Sequence, residues 1–141
     1  MILYLDTSAL VKLYVEEAGT AAVVSRVEDA EAVATARVSY AEARAALARH
    51  RREGALSPTE LRRAVRELDR EWGMYNVVDL NDPLVRRAGA LAERHALRGY
   101  DAVQLAAALD LRAAGSEVSF LSFDARLNRA ARRERLSAAD A

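Results

Sequence analysis

Four acidic residues each fall in the first turn of a predicted helix, from where several carboxylates can be brought to one place. They are Asp6, Glu42, Asp101 and Asp124. Asp6, Glu42 and Asp124 also follow predicted strands, and the carboxyl ends of parallel strands share one edge of a sheet. We therefore expect these three acids to lie near each other. Asp101 is preceded by a helix instead, and its position after Gly99 does not by itself place it in the cluster.

Carboxylates gathered at one edge repel each other, so either some of them carry protons at a raised pKa or a cation lies among them. The chain has no cysteine and only two histidines, which excludes a thiolate zinc site and a histidine-rich metal site. Hard oxygen ligands favour Mg²⁺ or Mn²⁺. Such ions bind phosphates, activate a water nucleophile and offset charge at phosphorus. The pattern therefore predicts metal-assisted phosphodiester hydrolysis.

Helix capping is the alternative explanation for the same acids. An acid in the first turn of a helix accepts hydrogen bonds from free backbone N–H groups and complements the helix dipole. Ser39 and Glu42 even have the spacing of a capping box. For Glu42 and Asp124 taken one at a time, capping is the more common role.

The elements that would position these acids follow from hydrophobic patterning. The apolar run over residues 2–5 predicts a strand buried on both faces, and Thr7 or Ser8 is a natural N-cap for a helix over residues 9–17. Similar patterns predict strands over 32–36, 76–80 and 118–122, and helices over 20–29, 39–52, 57–72, 84–96, 101–115 and 124–135. This alternation indicates an α/β fold, with a small, mostly parallel central sheet of about four to five strands flanked by helices.

The length of 141 residues suits one domain with its own core. We expect that domain to span residues 1–136, followed by a short polar tail over residues 137–141. Residues 132–141 are polar and show no clear strand pattern. No charged and apolar leader precedes the first strand, and no apolar run approaches the roughly 20 residues needed to span a bilayer. We therefore expect a cytoplasmic protein with no membrane contact.

Four segments taken together resemble one known family. They are Ile2-Leu3-Tyr4-Leu5-Asp6-Thr7-Ser8, Ser39-Tyr40-Ala41-Glu42, Arg98-Gly99-Tyr100-Asp101-Ala102-Val103-Gln104-Leu105-Ala106 and Phe120-Leu121-Ser122-Phe123-Asp124. They occur in the order that the family shows and extend over nearly the whole chain. The sequence is similar to the PIN domain and, more narrowly, to the VapC-type toxins of bacterial and archaeal toxin–antitoxin pairs.

The resemblance implies a Mg²⁺- or Mn²⁺-dependent endoribonuclease that acts as a toxin on RNA. It also implies a cognate antitoxin that covers the active site, and a homodimer or a toxin–antitoxin hetero-oligomer. The four acids match the acidic positions of the family, in which Asp6 and Asp101 are the chief metal ligands and Glu42 and Asp124 assist directly or through water. Three residues match the hydroxyl positions that support such a site: Thr7, Ser8 and Ser122. Ser122 stands where threonine is common, which keeps the hydroxyl.

Arginines extend the helices that begin near two of the acids. Lysine plus arginine total 21 and aspartate plus glutamate total 21, so bulk positive charge does not hold nucleic acid here. Local arginines can still contact RNA phosphates, and Arg126, which follows Asp124 closely, is the strongest candidate. A solvated helix face is the more common explanation for such charge runs.

Three other functions remain open. A PIN nuclease without a toxin role would share the same acids. A haloacid-dehalogenase-like phosphatase would use Asp6 as its nucleophile, but such enzymes carry a second aspartate two residues on, where this chain has Ser8. A non-catalytic binding module would be expected to lack one or more of the four acids, and all four are present.

Overall fold

The computed structural model describes residues 1–138. Its strands are β1 (Ile2–Leu5), β2 (Ala32–Ala36), β3 (Asn76–Val78), β4 (Val118–Leu121) and β5 (Ser137–Ala138). Its helices are α1 (Thr7–Val11), α2 (Thr20–Asp29), α3 (Ser39–Arg52), α4 (Pro58–Trp72), α5 (Asp82–His95), α6 (Gly99–Ala113) and α7 (Ala125–Arg133). None of the helices in this part of the chain has the length and apolar character needed to cross a membrane.

The five strands form one parallel sheet in the order β3-β2-β1-β4-β5, with β1 at its centre. Tyr4 of β1 lies opposite Ala34 of β2 and Phe120 of β4. Because β1 has a strand on each side and helices on both faces, Leu3, Tyr4 and Leu5 are fully buried. The predicted α/β fold, a small parallel sheet flanked by helices, is confirmed.

The two faces of the sheet pack against different helices. On one face, Tyr4 and Phe120 stack with their ring centroids 5.5 Å apart, in a core shared with α5, α6 and α7. On the other face, Leu3 and Leu5 pack with α1, α3 and α4. In α6 every residue from Ala102 to Ala108 is buried, so this helix lies deep in the molecule and its polar members must find partners there.

The C-terminal segment supplies the edge strand that the sequence left open. Ser137–Ala138 pair with β4, with Ser137 opposite Ser119 and Ala138 opposite Phe120, so the sheet within residues 1–138 has five strands, the upper number expected. A strand of two residues is too short to show a hydrophobic pattern of its own, and its neighbour β4 holds it in place. Residues 139–141 of the predicted tail lie outside the described residues. The division of the chain at residue 136 stays a prediction.

The first helix begins and ends earlier than predicted. It covers Thr7–Val11 instead of residues 9–17, and its N-cap is Asp6, not Thr7 or Ser8. The Asp6 carboxylate accepts a hydrogen bond from the backbone N–H of Ala9 at 3.0 Å. Thr7 and Ser8 lie within the first turn of α1 instead, and their hydroxyls donate to the carboxylates of Glu42 and Asp6.

Candidate active site

Asp6 lies at the carboxyl end of the central strand, and only 4% of it is exposed. Its Oδ1 accepts hydrogen bonds from the Ser8 hydroxyl at 2.7 Å and from the Ala9 backbone N–H at 3.0 Å. Its Oδ2 accepts a hydrogen bond from the Ser122 hydroxyl, at the end of β4, at 2.6 Å. Three donors from two neighbouring strand ends therefore fix the orientation of this buried carboxylate.

The surroundings of Asp6 raise its pKa to about 6. Burial is the largest cause, because it disfavours the charged form, and the negative charge of Asp101 adds to it. The hydrogen bonds from Ser122, Ser8 and Ala9 act in the opposite direction. The Gln104 side chain of α6 lies 3.2 Å from the Thr7 hydroxyl, so the first turns of α6 come close to the end of β1, a proximity that the sequence did not reveal.

Glu42 belongs to a second group of polar side chains at the same edge. Its Oε1 accepts hydrogen bonds from the Thr7 hydroxyl at 2.7 Å and from the Gln104 side-chain amide at 3.1 Å. The capping-box hypothesis for Ser39 and Glu42 was wrong, because Val38 is the N-cap of α3 and no side chain caps the helix. The Ser39 hydroxyl lies inside the protein instead, within hydrogen-bond distance of Thr35 and Gln104.

Gln104 connects this edge to the core, and sequence reasoning missed its role. Its side-chain nitrogen donates towards Glu42, Thr7 at 3.2 Å and Ser39 at 3.0 Å. Its Oε1 accepts a hydrogen bond from the Tyr4 hydroxyl at 2.6 Å. Burial, with the charges of Asp6 and Glu42, raises the pKa of Tyr4 well above its ordinary value, so its hydroxyl stays protonated and can donate. The signal in the sequence was a single glutamine within an otherwise apolar helix segment.

Asp101 and Asp124 lie on the more open side of the site. Asp124 is the N-cap of α7, and its Oδ1 accepts hydrogen bonds from the backbone N–H groups of Arg126 and Leu127. The capping role predicted as an alternative is thus confirmed for Asp124. Its Oδ2 and the Oδ2 of Asp101 both face the guanidinium of Arg98, at 3.9 Å and 3.2 Å.

Ser122 joins the buried and the open parts of the site. Its hydroxyl donates to Asp6 and accepts a hydrogen bond from the backbone N–H of Asp124 at 3.0 Å. Ser8 has a similar position, because its hydroxyl donates to Asp6 and accepts from the backbone N–H of Phe123. The three predicted supporting hydroxyls, on Thr7, Ser8 and Ser122, all contact a carboxylate of the predicted set.

Two clefts open beside these acids. One is lined by Arg98, Asp101, Asp124, Ala125, Arg126 and Arg129. Among the lining residues of the other are Thr7, Ser8, Glu42, Arg49, Arg98 and Phe123. Arg98 lines both clefts, so the two meet at the acidic edge, and each carries arginines beside its carboxylates.

The donor set suits a hard divalent cation, although the acids do not form a closed cage. Within residues 1–138, no three His, Cys, Asp or Glu side chains are grouped so that they could hold a metal ion together. Mg²⁺ commonly binds proteins through one or two carboxylates and keeps several water ligands. Asp101 and Asp124, with side chains 24% and 31% exposed, offer carboxylate oxygens to an open cleft and leave room for such waters.

This chain is similar to known proteins both in sequence and in fold. Residues 3–133 match the family model of the PIN domain. The chain is 40% identical over 108 residues to ribonuclease VapC45 of Mycobacterium tuberculosis, which covers 77% of this chain and 75% of the relative. Its fold resembles the crystal structure of FitAcB from Neisseria gonorrhoeae, with a TM-score of 0.71, 17% identity and 98% and 96% of the two chains covered. It also resembles a toxin–antitoxin complex from Klebsiella pneumoniae, with a TM-score of 0.64, 15% identity and 86% of each chain covered.

Proposed function

This chain belongs to the PIN domain family, and from that premise we propose that it is a metal-dependent endoribonuclease, the toxin of a toxin–antitoxin pair. The observation that carries the proposal is the set of four carboxylates at the carboxyl edge of the sheet. The charge of Asp101 raises the pKa of Asp6, and the guanidinium of Arg98 contacts both Asp101 and Asp124. The relative VapC45, which is named a ribonuclease, supports RNA as the substrate. Mg²⁺ or Mn²⁺ is the proposed cofactor.

Asp6 and Asp101 are the proposed chief metal ligands, with Glu42 and Asp124 assisting. A bound Mg²⁺ or Mn²⁺ would lower the pKa of a water ligand and offset negative charge on the phosphoryl oxygens. Asp6 is held by three hydrogen bonds, so it would meet the cation in a fixed orientation. Asp101 faces the open cleft, where it remains accessible to solvent and substrate.

Glu42 is the proposed acceptor of the proton from the attacking water. Hydrogen bonds from Thr7 and Gln104 both go to its Oε1, and its Oε2 accepts none within residues 1–138. The free oxygen can therefore accept a proton while the other oxygen keeps the carboxylate in position. Thr7 and Gln104 act as positioning residues in this scheme.

The arginines of the two clefts are the proposed contacts to RNA phosphates. The guanidinium groups of Arg126 and Arg129 make no hydrogen bond or ion pair in the described part of the chain, although they lie in the cleft of Asp101 and Asp124. The guanidinium of Arg49, in the cleft that also contains Glu42, likewise makes no hydrogen bond or ion pair within residues 1–138. Unpaired arginines beside an acidic centre can hold the RNA backbone in place without a positive net charge on the protein.

A protein antitoxin is the proposed partner, in a homodimer or a toxin–antitoxin hetero-oligomer. This part of the proposal rests on family membership and on the structural similarity to the toxin–antitoxin complex from Klebsiella pneumoniae. The phosphatase alternative is weakened by the geometry. Each oxygen of Asp6 accepts a hydrogen bond from a serine hydroxyl, which lowers its nucleophilicity.

The test is an RNA-cleavage assay in EDTA, followed by addition of Mg²⁺ or Mn²⁺. We expect no cleavage in EDTA, recovery with either ion, and loss of cleavage of about a hundredfold or more in Asp6→Asn and Asp101→Asn, because a metal ligand is removed. Asp110→Asn is a matched control, since Asp110 lies on the same helix as Asp101 but pairs with Arg87 outside both clefts. Cleavage that persists in EDTA would refute the metal-dependent mechanism.

The toxin role has a separate test. Expression of the chain in a bacterial host should arrest growth, and co-expression of the small gene beside it should restore growth. An Asp101→Asn chain should be harmless on its own. Growth arrest by the Asp101→Asn chain would show that toxicity does not come from the proposed site.

A further inference from the structure

Arg98 is the N-cap residue of α6 and lies between two of the four acids. Its Nε is 3.2 Å from Asp101 Oδ2, and its Nη2 is 3.9 Å from Asp124 Oδ2. One guanidinium thus bridges carboxylates from α6 and from the turn before α7. The Arg98 side chain is 82% exposed and lines both clefts, and within residues 1–138 its guanidinium pairs with these two carboxylates.

We propose that Arg98 is a built-in counter-ion that holds Asp101 and Asp124 while no metal is bound and competes with the divalent cation for them. The inference rests on the metal site of the proposed function. A guanidinium has several donors in a planar fork and can serve two carboxylates at once. Without such a charge, two acids facing one cleft would repel each other.

The exposure of Arg98 makes the contact reversible. Exposed ion pairs are weak, because water screens them and a long side chain loses freedom when it is held. A divalent cation carries twice the charge of the guanidinium and can displace it at little cost. Arg98 then stays at the junction of the two clefts, free of the carboxylates that it paired with.

The test is a calorimetric titration of Mn²⁺ into the full chain, without RNA, for the unmodified protein and three variants. Arg98→Gln should bind Mn²⁺ about fivefold more tightly than the unmodified chain, the upper end of what an exposed ion pair contributes, because Arg98 contacts two carboxylates. Arg98→Lys keeps the charge but has no planar fork, so its affinity should lie between those two. Circular dichroism checks that the variants fold.

Arg126→Gln is the matched control, because it also removes one positive charge from the cleft of Asp101 and Asp124. The Arg126 side chain contacts neither acid, so its loss should change Mn²⁺ affinity less than twofold. An equal gain in Arg126→Gln would overturn the inference, since it would show a general effect of charge. If the unmodified chain binds Mn²⁺ and Arg98→Gln binds it with the same affinity, the inference about Arg98 is overturned while the proposed metal site stands. No Mn²⁺ binding by any variant would overturn the proposed metal site as well.

Discussion

Replacing Gln104 by methionine should show separately how much this side chain contributes to RNA cleavage and how much to the stability of the fold. Methionine has a similar volume and shape, so it leaves no large cavity among the buried residues of α6. It removes the acceptor of the Tyr4 hydroxyl and one of the two donors to Glu42. Tyr4 is fully buried, and its hydroxyl then has no other acceptor in the described part of the chain.

The expected size of the effect follows from these contacts. An unsatisfied buried hydroxyl costs about 1–3 kcal/mol, so we expect Gln104→Met to lower the free energy of unfolding by about 2 kcal/mol. Glu42 keeps its bond from Thr7 but can rotate about it, because the amide of Gln104 no longer holds it. Losing one hydrogen bond of about 1 kcal/mol in the transition state predicts a fall in kcat of about fivefold.

The assay combines urea unfolding with steady-state cleavage of RNA, and a second variant makes the outcome specific. Tyr4→Phe combined with Gln104→Met removes both hydrogen-bonding partners, so it should be less destabilised than the sum of the single changes, by about 1 kcal/mol. Its kcat should stay as low as that of Gln104→Met, because Glu42 still lacks the hydrogen bond from the amide of residue 104. Recovery of kcat in the double variant would refute the positioning role of Gln104.

Three further changes test other parts of the molecule. Ser122→Ala should lower the rate of RNA cleavage about tenfold, because the Ser122 hydroxyl donates a hydrogen bond to Asp6. Ser122→Thr retains a hydroxyl and should cleave at the unmodified rate, so the cleavage rates of the two variants test this role. Burial raises the pKa of Glu134, but its hydrogen bond with His95 and nearby positive charges outweigh this and leave the pKa lowered. Stability should therefore fall as the pH drops below about 4.5, and a Glu134→Gln chain should lose less on the same acid-unfolding curve. Gly19→Ala should lower the thermal midpoint, because Gly19 has φ +95° and an added Cβ would lie 2.6 Å from an aromatic ring carbon; a midpoint equal to that of the unmodified chain would contradict this.

The strands were predictable because their signal is local. Residues of β1 are apolar without interruption, as expected for a strand buried on both faces, and the acid that follows it was placed correctly at the sheet edge. By contrast, β5 has two residues and exists only by pairing with β4, so no local pattern could reveal it. The strands that carry the site were thus more predictable than the edge of the sheet.

The limits of prediction at the site have a similar physical cause. Asp101 follows a helix instead of a strand, and its effect on Asp6 depends on how α6 packs across the sheet. The spacing of Ser39 and Glu42 suggested a local capping box, whereas Ser39 bonds to Gln104, 65 residues away in the chain. Local spacing therefore indicated the candidate acids but not the contacts that hold them.

The four carboxylates are held in three different ways, and the differences suggest how the site works. Asp6 is buried, takes three hydrogen bonds and has a pKa raised to about 6. Glu42 is fixed through one oxygen by a network that reaches into the core. The Oδ2 atoms of Asp101 and Asp124 face the exposed guanidinium of Arg98, while Oδ1 of Asp124 accepts hydrogen bonds from backbone N–H groups of α7. Hydrogen bonds within a packed core leave little freedom, whereas an exposed ion pair exchanges easily. Adjustment to a cation or a substrate should therefore take place on the α6 and α7 side, while the β1 side keeps its geometry.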